Sequence, residues 1–98
     1  MQKQISTIHF KADKDLLSYL DLKIEKLSLF SQNITSCEVY LKLDKDDQHE
    51  NKLVEMKLHI PGKELFAKKK SASFEEAATH VIDALKKQLI KEKEKLSD

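Results

Sequence analysis

The chain has 98 residues, with 18 basic and 17 acidic side chains and a formal net charge of +1. This length suits a single domain, predicted over residues 1–98, whose core needs neither disulfides nor metal ions. The one cysteine excludes an internal disulfide and favours a reducing, cytoplasmic setting. No apolar run approaches the ~18 residues of a membrane span, and the N-terminus lacks the apolar segment of a signal peptide. Composition therefore argues against membrane and disulfide-stapled secreted proteins.

The positive charge is carried by lysine alone and is unevenly distributed along the chain. Residues 44–50 (DKDDQHE) are acidic, whereas residues 68–70 and 86–95 are rich in lysine. Such a dipolar surface can bind anions on one side despite a nearly neutral total charge. A lysine ammonium group is well suited to bind phosphates, whereas proteins that recognise bases usually do so with the planar guanidinium group of arginine. A nucleic-acid partner would therefore be recognised through its backbone and shape.

Four segments predict strands, over residues 2–10, 34–43, 52–60 and 64 to about 70. In the first, Ile8 and Phe10 lie on the face opposite Ile5. The second and third alternate strictly between apolar and polar residues, which predicts a sheet with one solvated face. The Pro-Gly pair at 61–62 is typical of a type II turn between the last two strands. Lys69 would share the inward side of the last strand, so we expect that strand to leave the sheet by then.

Two segments predict amphipathic helices. The first runs from residue 14 to about 29, with Asp13 as its N-cap. The second runs over residues 73–96 and opens with a capping box formed by Ser73 and Glu76. Both carry an apolar stripe of helical period: Leu16, Leu17, Leu20, Ile24 and Leu27 in the first, and Phe74, Ala78, Val81, Ile82, Leu85, Leu89 and Leu96 in the second.

Each helix also has a second stripe that contains lysine and no carboxylate. These stripes are Tyr19, Lys23, Lys26 and Phe30 in the first helix, and His80, Ala84, Lys87, Lys91 and Lys95 in the second. Single lysines on helices are usually just solvated, and near a C-terminus they are favoured by the helix dipole. If both helices pack on one face of the sheet, however, the two stripes can flank one cationic surface. Engaging about five phosphates would then give a log–log salt slope of roughly −3 to −5.

The order of the elements predicts an α+β fold with two layers. A strand, a helix, three antiparallel strands and a second helix give the order β-α-β-β-β-α. The sheet has one apolar face and each helix one apolar stripe, so both helices should pack side by side on that face. The first strand reaches the second through a helix and should therefore lie parallel to a neighbour, with a right-handed crossover.

The chain lacks the groupings that carry catalysis, and we predict that it is not an enzyme. Cys37 falls on the inward face of a strand, where a small buried thiol is inert. The four histidines show no metal-ligand spacing, and residues 44–50 lack the glycine and terminal glutamate of a calcium loop. Gly62 is the sole glycine, so no phosphate-binding loop is present. We expect no metal, no cofactor and no small-molecule substrate.

Several short patterns remain: Lys23 and Lys26 before Leu27, Leu65-x-Ala67, and Ile82-Asp83-x-Leu85-x-x-Gln88-Leu89-x-Lys91-x-Lys93-x-Lys95-Leu96. Over essentially the whole chain this succession resembles the short ribosome hibernation-promoting factors, also called ribosome-associated inhibitors or sigma-54 modulation proteins. The resemblance implies binding to the small ribosomal subunit in stressed or stationary cells, where the domain fills the channel for messenger and transfer RNA. It implies ribosomal RNA contacts by Lys23, Lys26, Lys87, Lys91, Lys93 and Lys95, with Lys68, Lys70, His80 and Lys86 as candidate further contacts.

The chain departs from that family pattern in small ways. Many members carry an acidic residue where this chain has Ser73 or Thr79, which bears little on function. Residues 68–70 are more basic than the family pattern and could extend the RNA contact toward the sheet edge. The chain ends at Asp98, without the linker and second domain by which long members pair two ribosomes. Pairing of ribosomes would then need help from another factor or from the ribosomes themselves, and we expect a monomer off the ribosome.

Two other interpretations stay open. A general double-stranded RNA-binding module shares the order helix, three antiparallel strands, helix, and residues 68–70 loosely match its lysine cluster. The additional first strand argues against it. A protein-binding adaptor, including a sigma-factor partner, should expose a sizeable apolar patch. Its candidates, Leu22, Leu29 and Ile90, are too scattered along the sequence to form one.

Overall fold

The computed structural model describes residues 1–44 and 49–96, without the side chain of Leu96, so Asp46 and Asp47 of the acidic segment lie outside it. Its elements are β1 (Gln2–Ile8), α1 (Lys14–Glu25), a 3-10 helix (Lys26–Leu29), β2 (Ser36–Leu43), β3 (Lys52–Ile60), β4 (Lys63–Ser71) and α2 (Phe74–Leu96). The strands form one sheet in the order β1-β2-β3-β4, with β1 parallel to β2 and the other neighbours antiparallel. The predicted α+β fold, with a parallel first strand, is confirmed.

β1 ends earlier than the sequence pattern predicts, because the next residue adopts a left-handed backbone. His9 has a φ of 69°, which interrupts the alternation of faces. Ile5 packs against the core, and Phe10 does so as well instead of staying on the side of Ile8. The Phe10 ring stacks on Phe74, with 4.8 Å between centroids and 9° between planes. The prediction that Ile8 and Phe10 share a face is therefore wrong.

α1 begins after the predicted N-cap, Asp13, and is followed by one turn of 3-10 helix. The Asp13 carboxylate accepts a 2.8 Å hydrogen bond from the N–H of Leu16. The helical conformation continues to Leu29, as predicted, but its last turn is a 3-10 helix closed by the N–H of Phe30. Leu17 departs from the predicted apolar stripe, since it is 38% exposed at the edge of the helix. The fully buried residues of this segment are Leu20, Ile24 and Leu27.

The sheet has one face packed on the helices and one open face. Six inward side chains of the two central strands are at most 1% exposed, namely Cys37, Val39, Leu41, Val54, Met56 and Leu58. The open face is polar apart from Ile8 and Leu53, which both pair with Lys42, and Phe66, which is 44% exposed. Gly62 has a φ of 76° in the turn between β3 and β4, as a type II turn requires.

β4 stays in the sheet longer than predicted. Lys69 pairs with Val54 and the pairing continues to Ser71, which faces Lys52 and is 3% exposed. The expectation that the strand leaves the sheet before Lys69 is wrong. Because β4 is an edge strand, Lys69 remains exposed even on the inward side, and pairing therefore does not require burial of its ammonium group.

α2 packs beside α1 and runs in the same direction. Ser73 caps it, since its hydroxyl oxygen accepts a 3.1 Å hydrogen bond from the N–H of Glu76. Two contacts join the helices: the Tyr19 hydroxyl lies 3.4 Å from that of Thr79, and the Lys86 ammonium lies 5.0 Å from the centre of the Phe30 ring. The residue numbers rise together along both helices, so the helices are parallel. Within the described residues, no helix is long and apolar enough to cross a bilayer.

Candidate nucleic-acid interface

The lysines of α2 fall on two flanks of the helix. The contacts made by Thr79 and Lys86 define the flank toward α1. A 2.9 Å hydrogen bond from Gln88 Nε2 to the carbonyl oxygen of Phe66 defines the flank toward β4. Side chains turn by about 100° per residue around a helix. Position 93, seven residues after 86, therefore shares the α1 flank, and positions 91 and 95 lie toward the β4 flank. Position 87 lies midway between 86 and 88 and points outward.

The α1 flank gathers four lysines, which we call the interhelical set: Lys23, Lys26, Lys86 and Lys93. The Lys23 ammonium lies 5.6 Å from the centre of the Tyr19 ring, and that of Lys86 lies over Phe30. Cation–π contacts of this kind orient an ammonium group without neutralising it. Among residues 1–44 and 49–96, no member of the interhelical set has an acidic partner. Their charges are thus available to an external anion.

The outward side and the β4 flank of α2 together carry a second group, which we call the β4-side set: His80 and Lys87 point outward, and Lys91 and Lys95 lie toward β4. The Lys95 ammonium lies 3.6 Å from a Glu92 carboxylate oxygen that also accepts a 2.5 Å hydrogen bond from Lys63. The Lys63 hydrogen bond lowers the pKa of Glu92 below its ordinary value, with a smaller contribution from Lys95. Lys95 is thus partly compensated. Lys87 and Lys91 have no acidic partner within the described part of the chain and are exposed.

Around the axis of α2, an outward ridge lies between the interhelical set and Lys87. Asp83, Ile90 and Glu94 are exposed on this ridge, about half a turn from the buried side of the helix. The sequence interpretation placed the stripe of Lys87, Lys91 and Lys95 with the α1 lysines around one acid-free surface. The structure instead brings Lys86 and Lys93 beside α1. Periodicity alone could not show this, because it does not reveal which flank of α2 faces α1.

Two candidate contacts from β4 lie on a different face of the protein. Lys68 and Lys70 project from the open face of the sheet, as their outward positions predict, and this face is opposite the helical layer. The Lys70 ammonium also lies 2.9 Å from a carboxylate oxygen of Asp44. The structure therefore does not bring these two lysines together with the lysines of the helices.

The open face also carries an ion-pair cluster that the sequence reading missed. His59 Nε2 lies 2.6 Å from a Glu38 carboxylate oxygen and 3.6 Å from one of Glu64, and the Tyr40 hydroxyl donates to Glu38 at 3.3 Å. The hydrogen bond with His59 is the main reason why the pKa of Glu38 is lowered. The signal was available in the outward positions of adjacent strands, but it required the register. These groups satisfy one another, which indicates a cross-strand brace of the sheet.

The thiol of Cys37 is buried and unreactive. Cys37 is 1% exposed on the inward side of β2. Burial raises the pKa of its thiol to about 12, so the reactive thiolate is scarce at neutral pH. This placement agrees with the sequence interpretation of Cys37 as a core residue.

Comparison with known proteins assigns the chain to a family. The sequence model of the family described as sigma 54 modulation protein / S30EA ribosomal protein matches residues 4–97. The chain belongs to this family. Two relatives, both named ribosome hibernation promoting factor, come from Azotobacter vinelandii and Pseudomonas putida. Each is 33% identical over 95 residues, which cover 97% of this chain and 85% and 89%, respectively, of the relative.

Solved structures confirm the sigma 54 modulation protein fold at lower sequence identity. A ribosomal subunit interface protein from Coxiella burnetii superimposes with a TM-score of 0.85 at 18% identity, over 95% of this chain and 98% of that one. The N-terminal domain of Protein Y from Thermus thermophilus gives a TM-score of 0.77 at 17% identity, over 91% and 96%. At these identities the superpositions establish the arrangement of strands and helices, and the lysine sets rest on this chain alone.

Proposed function

We propose that this protein is a ribosome hibernation factor that silences translation by occupancy. It binds the small ribosomal subunit in stressed or stationary cells, in the cytoplasm, and its helical layer enters the channel used by messenger and transfer RNA. It performs no chemistry and acts as a monomer off the ribosome. The proposal is supported by the membership of its family and by the names of the two 33% identical relatives.

The observation that carries the proposal is the helical layer with its uncompensated lysines. Within the described residues, six lysines of the two sets have no acidic partner: Lys23, Lys26, Lys86, Lys87, Lys91 and Lys93. None of them faces the core, so they are available without unfolding. Point charges on both flanks of one rigid helix suit phosphates that approach from two sides, as in a channel walled by RNA.

Recognition should depend on the position of RNA backbones more than on base sequence. Lysine donates to single phosphates without the bidentate geometry that arginine uses to read guanine. The exposed carboxylate of Asp83, which lies between the interhelical set and Lys87, disfavours a single duplex laid across α2. Two separate RNA segments, one on each flank, fit this charge distribution better, and the folded small subunit offers such segments.

The test is a competition with messenger RNA on purified small subunits. Wild-type protein is titrated against a fluorescent messenger fragment and a bound transfer RNA, and we expect both to be displaced. The variant Lys87→Glu with Lys91→Glu should fold normally, because both side chains are exposed, and should lose displacement. Binding of wild-type protein alongside the fully bound messenger fragment would refute occupancy of the channel.

A matched control reverses the same amount of charge at the opposite end of the helical layer. Lys11→Glu with Lys14→Glu changes two exposed lysines before and in the first turn of α1. Acidic side chains are favoured near a helix N-terminus, so this control should fold at least as well as wild type. It should keep displacement close to wild type. An equal loss in the control would mean that net charge, and not the lysine placement, governs binding.

A further inference from the structure

A surface depression lies where α1 gives way to the loop before β2. It has a volume of about 290 Å³ and is lined by Leu29, Phe30, Ser31, Gln32, Asn33 and Lys93. This volume is close to the ~300 Å³ lower limit of small-ligand sites in proteins. The depression combines an aromatic wall, a polar loop and one lysine of the interhelical set. Proteins bind single-stranded nucleic acid with these features: an aromatic ring stacks on a base, polar groups form hydrogen bonds with the base edge, and a lysine pairs with the phosphate.

The aromatic wall is a phenylalanine that the core leaves partly uncovered. Phe30 follows the 3-10 helix and is 38% exposed, and its neighbour Leu29 is 84% exposed. The other aromatic side chain of this stripe, Tyr19, is anchored by its hydroxyl contact with Thr79, whereas the Phe30 ring has no polar group and its face meets the Lys86 ammonium. A flexible lysine over a ring can move to a nearby phosphate and leave the ring face to a base.

The loop supplies hydrogen-bonding groups at the same place. The Ser31 hydroxyl oxygen accepts from the N–H of Asn33 at 3.3 Å, which shapes the turn. The side-chain amides of Gln32 and Asn33 are exposed and make no hydrogen bond within the described part of the chain. An amide offers both a donor and an acceptor, so it can pair with the edge of an unpaired base.

We propose that this depression binds one unpaired nucleotide of ribosomal RNA. The base stacks on Phe30, its edge pairs with the amides of Gln32 and Asn33, and its phosphate meets Lys93 and Lys86. This proposal rests on the proposed function, because it assigns a specific contact within the helical layer that enters the ribosome. It adds an apolar, salt-independent component to a surface that otherwise binds through charge alone.

The test separates stacking from charge by measuring affinity for small subunits at several salt concentrations. Phe30→Leu removes the ring but keeps an apolar side chain, and we expect a loss of about 5- to 150-fold, the range for one stacked base. The salt slope should stay unchanged, since no charge is removed. Phe30→Trp should bind within about threefold of wild type, because a larger ring also stacks. Thermal unfolding of each variant checks the fold.

The matched control is Phe66→Leu, whose side chain is 44% exposed on the open face of the sheet, opposite the helical layer. It should leave affinity unchanged. If Phe30→Leu binds small subunits as tightly as wild-type protein, the nucleotide site is refuted while the proposed function stands. Equal losses in Phe30→Leu and Phe66→Leu would also overturn it.

A second measurement uses a short single-stranded RNA that contains 2-aminopurine, whose fluorescence falls on stacking. Wild-type protein should quench it at low salt, and Phe30→Leu should not. This assay needs no ribosome, so it separates the two proposals. Quenching that depends on Phe30, without binding to small subunits, would refute the proposed function. Equal quenching by both proteins would refute the stacking site.

Discussion

Neutralising the lysines of the helical layer one set at a time should lower the salt dependence of ribosome binding in equal steps. The two lysine sets hold six uncompensated lysines among the described residues, and each phosphate contact contributes roughly 0.7–0.9 to the slope of log affinity against log salt. Wild type should therefore show a slope of about −4 to −5. Lys26→Gln with Lys93→Gln removes two exposed charges of the interhelical set. Lys87→Gln with Lys91→Gln removes two from the β4-side set.

Each pair should reduce the slope by about 1.5, and the quadruple variant by about 3, since the two flanks contact separate phosphates. The assay is equilibrium binding of labelled protein to small subunits at four or more salt concentrations. The control is Lys42→Gln with Lys57→Gln on the open face, where the slope should not change. A β4-side pair that leaves the slope at its wild-type value would refute the two-flank account. A control as damaging as either pair would refute any role for lysine placement.

Two further predictions concern the fold. Leu85→Ala truncates a fully buried residue of α2 and should cost about 2–5 kcal/mol of unfolding free energy, measured by urea denaturation; a loss below ~1 kcal/mol would contradict the packing described above. Glu38 has a lowered pKa through its hydrogen bond with His59, so its carboxylate stabilises the fold above the ordinary pKa and loses that effect as pH falls through the lowered value. Glu38→Gln should therefore lower the melting temperature at neutral pH, and this loss should shrink as the pH falls through the lowered pKa of Glu38. An unchanged melting temperature at neutral pH would contradict the brace.

Much of the fold follows from local patterns that act independently of tertiary context. Strict alternation in β2 and β3 and the helical period in α2 each reflect burial on one side, and the caps at Asp13 and Ser73 satisfy backbone groups nearby. The parallel placement of β1 follows from the need to cross over through a helix.

The wrong predictions for Phe10 and Lys69 share a physical cause. In each case, the interaction that decides the outcome involves residues outside the segment from which the prediction was made. Phe10 changes sides because a left-handed residue at His9 lets its ring reach Phe74, more than sixty residues away. Lys69 stays paired because an edge strand keeps it in solvent. Neither alternation nor spacing contains this information.

The candidate site was predictable as a list of lysines but not as an arrangement. Lys23, Lys26 and the α2 lysines could be named from stripes and from the family resemblance. Their division into two flanks depends on which side of α2 meets α1, which only the contacts of Thr79 and Lys86 reveal. The depression beside Phe30 forms from a loop and two helices, so no single stretch of sequence predicts it.

The most direct test of the central claim is co-sedimentation of the purified protein with small ribosomal subunits, beside a random RNA duplex at the same salt concentration. The account predicts tight, saturable binding to small subunits and weak binding to the duplex. Equal binding to both would contradict it and would favour a general double-stranded RNA-binding module. Binding to neither would refute the nucleic-acid interface altogether.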